Sequence, residues 1–87
     1  MPIDVIAARA ALRTFICDEL LRRPDLPLED EAPLITGGYL DSFAVARLAV
    51  FIEESFGVYV PDSELTIASM DTLDLMVKQV ARWAGET

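Results

Sequence analysis

"DSFAVARLAVFIEESFG", residues 41–57, is the stretch on which the fold turns. From Val45 the apolar residues recur at Leu48, Ala49, Ile52 and Phe56, the spacing of a helix buried along one face. Asp41 suits the N-cap, because its carboxylate can accept from an amide of the first turn. Gly57 suits the position just past the last turn, where a left-handed residue closes a helix. The opposite face carries Phe43, Arg47, Val50 and Glu54. Two apolar residues on a face that should meet water mark a candidate contact surface. Ser42 follows the cap directly, beside backbone N–H groups that lack intrahelical partners.

Upstream, residues 24–41 form a long connection broken by Pro24, Pro27, Pro33, Gly37 and Gly38. Its Leu26, Leu28, Leu34, Ile35 and Leu40 predict that it packs onto the domain, and loops of this length tend to be functional. Gly37-Gly38 offers sterically open backbone that a second protein could approach. Before it, residues 3–22 read as a first helix with a stripe of Val5, Ala8, Leu12, Ile16 and Leu20; Ile6 and Phe15 lie off the stripe. Pro24 disfavours helical angles at Arg23 and stops this helix.

Downstream, "VYVPDSELTIASM" (58–70) reads as a short extended piece, Pro61 and one irregular helical turn. Asp71 or Thr72 caps a last helix whose stripe is Leu73, Met76, Val77, Val80 and Ala84, with Trp83 as a core or edge anchor. Asp74 and Lys78 are spaced for an i, i+4 pair on its outer face. No strand pattern of useful length is present. The expectation is all-α: a small bundle of three main helices plus one short helix, with a long loop between helices one and two, as a single domain over residues 1–87.

Composition fits this reading. A chain of 87 residues, 53% hydrophobic and 25% charged, can build one modest core but not an enclosed active site as well. Residues 24–87 hold three basic and twelve acidic side chains of the total net charge of −8. That acidity repels nucleic acid and anionic membranes and favours partners with basic patches, although solubility alone explains its sign equally well. The longest apolar run, residues 48–52, is far below the roughly 20 residues of a membrane span. No basic-then-apolar leader is readable, and the single Cys17 fits a reducing compartment; a cytoplasmic monomer is expected. Cys17 lies within a helical pattern and reads as packing.

The chain has no histidine, which excludes a Ser-His dyad or triad and removes the usual base at neutral pH. Ser42 is not in a Gly-x-Ser-x-Gly elbow, and no lysine lies near it in sequence. The acidic runs 29–31 and 53–54 lack the spacing of a calcium loop and read as solvated faces. No P-loop or dinucleotide fingerprint is present. The expectation is a protein that is not an enzyme and holds no metal. Ser42 can still be acted upon, since a phosphoester there would meet the favourable end of the helix dipole. Local chemistry leaves two readings open: a serine that only helps to cap, and a serine presented for modification.

"GGYLDSF" resembles the Gly-x-Asp-Ser-Leu attachment motif of the acyl, aminoacyl and peptidyl carrier proteins. "PLITGGYLDSF" is similar to that family's loop between its first two helices. "FIEESFGVYVPDSEL" resembles its helix end and Gly-Val-x-Val/Ile-Pro-Asp stretch, and "MDTLDLMVKQV" the start of its closing helix. The resemblance implies that a phosphopantetheinyl transferase esterifies Ser42 with 4′-phosphopantetheine, whose thiol carries an acyl or aminoacyl thioester. It implies that Asp41 supports the modification. Leu40 and Phe43 would flank it, and Arg47, Val50, Glu53, Glu54 and Val60 would form the docking face. Implied partners are an adenylating or acyl-loading enzyme and acyltransferase, ketosynthase or condensation-type enzymes. Phe43 stands where leucine is commonest, and Arg47 where fatty-acid carriers show an acidic residue. Asp-Ser-Phe is more similar to free-standing aminoacyl or specialised carriers than to those of fatty-acid synthesis, and Arg47 argues against a purely acidic docking surface. The first expectation is a free-standing carrier of a dedicated polyketide or non-ribosomal-peptide pathway. The alternatives are a carrier of primary metabolism or cell-wall aminoacyl transfer, and an unmodified adaptor with the same fold.

Overall fold

Helix α2 (Ser42–Phe56) is bounded as its sequence requires. Asp41 Oδ1 accepts from the Ala44 amide at 2.8 Å, and Gly57 turns the chain out of the helix with φ 68°. Val45, Leu48 and Ile52 are buried, while Ala49 and Phe56 are half-buried. The computed structural model describes residues 4–85. Besides α2 it contains α1 (Val5–Phe15), continued by a π turn at Ile16–Leu20, then α3 (Ile67–Met70) and α4 (Leu73–Gly85). Among the described residues there is no strand. The molecule is therefore all-α, with the long connection between its first two helices.

Helix α1 starts at the Asp4 cap, whose Oδ1 accepts from the amides of Ile6 (3.0 Å) and Ala7 (3.2 Å). Residue 3, the expected start, lies outside the described residues. The helix ends two residues earlier than expected, because it widens before Pro24. The Leu21 amide reaches back to Ile16 O at 2.8 Å, and Arg22 takes a left-handed φ of 56°. Ala8, Leu12 and Ile16 are buried, but Val5 at the exposed end of the stripe is not. Phe15, off that stripe, stacks on Phe51 of α2 with ring centroids 4.2 Å apart; Phe51 in turn meets Phe56 edge-on at 6.0 Å. One face of α1 thus meets α4 and another meets α2, so its apolar pattern is broader than one stripe.

In α4 the whole expected stripe is buried, together with Trp83. Thr72, not Asp71, is its cap: the Leu75 amide donates to Thr72 Oγ1 at 3.1 Å. Asp74 faces α1 and pairs with Arg9 at 2.5 Å, which corrects the pairing with Lys78 expected from spacing. The run at 29–31 is likewise not merely solvated, since Asp30 pairs with Arg13 and lies 3.3 Å from Arg9. The Asp74 amide also donates to Asp30 O at 3.0 Å, so the connection is stitched to the start of α4. Leu28, Leu34 and Leu40 of that connection enter the same core as the helices. The radius of gyration is 11.8 Å, against about 12 Å for a compact chain of this length.

Candidate functional site

The end of the long connection and the first turn of α2 present Ser42. Its side chain is exposed, and among the described residues its hydroxyl has no hydrogen-bond partner. The capping bond belongs to Asp41, so Ser42 is not engaged in holding the helix end. Phe43 is 71% exposed and Val50 54% exposed, and Arg47 and Glu54 share their face of α2; Glu53 is exposed beside them. A groove of about 260 Å³ lined by Phe15, Arg47, Val50, Phe51 and Glu54 runs along that face toward α1. On the other side of Ser42, Ile35, Asp41, Val45, Leu65 and Ile67 line a cleft of about 290 Å³.

Two residues expected at the docking surface are elsewhere. Leu40 is buried (3% exposed). It precedes the cap, and Val45 lies four residues beyond the cap; the pair has the spacing of a hydrophobic staple, and both sit in the core. Val60 is buried as well (5% exposed), because the extended segment after Gly57 alternates. Val58 and Val60 point inward and Tyr59, 67% exposed, points out. That alternation was the available signal for Tyr59. Ile67, exposed at the start of α3 beside the cleft, has no comparable signal in so short a helix.

The loop before Ser42 is tightly built. Leu34 O accepts from the amides of Tyr39 and Leu40, both at 2.9 Å. A Cβ on Gly37 would lie 2.1 Å from Pro33 O, and Gly38 has φ 84°. The two glycines thus serve this loop's own turn. Asp71, at the C-terminal end of α3, closes the loop from outside. Its carbonyl accepts from the Leu34 amide at 2.7 Å. Its Oδ1 accepts from the amides of Ile35 (2.8 Å) and Thr36 (2.9 Å), and its Oδ2 from the Thr36 hydroxyl (2.9 Å). The Thr36 amide is the main cause that holds the Asp71 carboxyl below the usual range. Desolvation opposes this, and the Thr36 hydroxyl and the Ile35 amide add to it.

Cys17 is buried, and burial first, then Asp18, pushes its thiol up against a smaller opposing effect of Arg13. A protonated, enclosed thiol is a packing group. Among the described residues no group of three or more His, Cys, Asp or Glu side chains could hold a metal ion, and no helix is long and apolar enough to cross a membrane. Comparison with protein-family models and with curated proteins finds no match.

Proposed function

We propose that this chain is a carrier protein that holds acyl or aminoacyl intermediates as thioesters on a 4′-phosphopantetheine arm at Ser42. The observation that carries the reading is the exposed, uncommitted Ser42 hydroxyl at the first position of α2, next to a separate capping residue. The surroundings fit the group: the helix N-terminus favours a phosphodiester, and the adjoining cleft leaves room beside the hydroxyl. In the transfer, Ser42 Oγ bonds to the phosphorus bearing the pantetheine arm of coenzyme A. The bond to the nucleotide phosphate breaks, the 3′-phosphorylated adenosine monophosphate leaves, and the serine proton passes to the transferase. When attached, the arm supplies the thiol that forms the thioester. Asp41 holds the helix end on which Ser42 stands, and Phe43, Arg47 and Val50 offer partners a mixed apolar and charged face. Tethering raises the effective concentration of cargo at each partner. Phe43, where leucine is commonest in the carrier family, favours a dedicated polyketide or non-ribosomal-peptide pathway with its own loading and condensing enzymes.

The test is intact mass after incubation with coenzyme A and a phosphopantetheinyl transferase. Wild type should gain one phosphopantetheinyl group and Ser42→Ala none. No gain across several transferases would leave an unmodified adaptor as the reading.

A further inference from the structure

We propose that Asp71 is a positioning residue for the modification of Ser42. It would act by clamping the loop over residues 34–40 to α3 so that Ser42 is held in its transfer-competent setting. The inference rests on the carrier reading above and adds a residue that lies 29 positions from the serine.

Four hydrogen bonds converge on this single residue: three from backbone amides of Leu34, Ile35 and Thr36 and one from the Thr36 hydroxyl. Among the described residues no side chain other than that of Asp71 bonds to the Ile35 or Thr36 amide. The clamp reaches Ser42 by a short path. Leu34, fixed by the Asp71 carbonyl, uses its own carbonyl to hold the amides of Tyr39 and Leu40, and Leu40 leads through Asp41 into Ser42. The clamp also joins the two walls of the cleft beside the serine. Ile35 on one wall is bound through its amide, and Ile67 on the other belongs to the helix that Asp71 terminates. Cap and clamp are divided between neighbours, because Thr72 caps α4 and leaves the Asp71 carboxylate for the loop.

Without the carboxylate, the Ile35 and Thr36 amides can turn to water, and the backbone bond from the Leu34 amide to the Asp71 carbonyl alone holds the loop to α3, so the loop loosens. The competent setting still exists but is populated less, which weakens apparent binding in proportion and leaves the chemical step alone. Asp71→Ala should therefore raise the KM of the transferase for this protein by about three- to tenfold with kcat nearly unchanged. Asp71→Asn keeps an oxygen for both amides and should restore KM to within about twofold of wild type. Val80→Ala, a core truncation in α4 away from the clamp, controls for lost stability and should leave both constants unchanged. Faster exchange of the Ile35 and Thr36 amides in Asp71→Ala alone would accompany the KM effect.

Unchanged kinetics in Asp71→Ala, a fall in kcat at constant KM, failure of Asp71→Asn to rescue, or an equal effect of Val80→Ala would each overturn the positioning role while wild type is still modified. If wild type itself is never modified, the carrier reading falls, and this role with it.

Discussion

Ser42 and its neighbours divide the work of one helix turn. Asp41 makes the capping bond and Ser42 keeps a free hydroxyl, so the two substitutions should have different consequences. Asp41→Ala should cost about 1 kcal/mol in urea unfolding, the usual value of a lost cap. Ser42→Ala should leave stability within about 0.5 kcal/mol, as expected at an exposed site without a bond to break. Phe43→Ala should also fold normally, since the ring is 71% exposed, but should weaken partner enzymes in a loading assay. The Asp71 carboxylate is legible only in the structure. Its partners are 35 and 36 residues away, beyond any local pattern, and of the Asp-Thr pair before the apolar stripe it is Thr72 that caps α4. Its pKa lies below that of an unfolded aspartate, so its contribution is complete above the ordinary carboxylate pKa and is lost as pH falls through the depressed value. The stability gap between wild type and Asp71→Asn should accordingly shrink in urea titrations taken from neutral to strongly acidic pH. A gap that is flat or widens with acid would contradict the ionised clamp.

At the scale of elements, all three long helices were legible, but in α1 only one of its two buried faces was. The stripes of α2 and α4 were readable because their Leu, Ile, Val and Met residues recur on a single side. Helix α1 meets both α2 and α4, which places Phe15 off its stripe, and its ending in a π turn has no signal beyond Pro24. The connection between α1 and α2 could be foreseen as packed from its leucines. Its ion pairs from Arg9 and Arg13 to Asp30 and Asp74 could not, because they join three separate segments. Leu40 and Val60 are buried by local patterns, the staple with Val45 and the alternation through Tyr59, that the family resemblance alone does not carry. Gly38 is held in the left-handed region, so Gly38→Ala should destabilise the loop by about 1 kcal/mol and loosen the same amides that Asp71 holds. Amide exchange at Ile35 and Thr36 measures this directly.

On the scale of the whole molecule, one core ties the helices to the connection that delivers Ser42. Leu48 is fully buried at the middle of α2, and Leu48→Ala should cost about 2–5 kcal/mol. For a domain this small, that is enough to lower the thermal midpoint by more than about 8 °C. On the proposed carrier reading the chemistry belongs to partner enzymes, and the fold presents one serine while leaving a face of α2 open to them. Intact mass after treatment with coenzyme A and a phosphopantetheinyl transferase tests that claim most directly. Wild type should gain the mass of one 4′-phosphopantetheinyl group and Ser42→Ala should gain nothing; an unmodified wild type, or an equally modified Ser42→Ala, would contradict it.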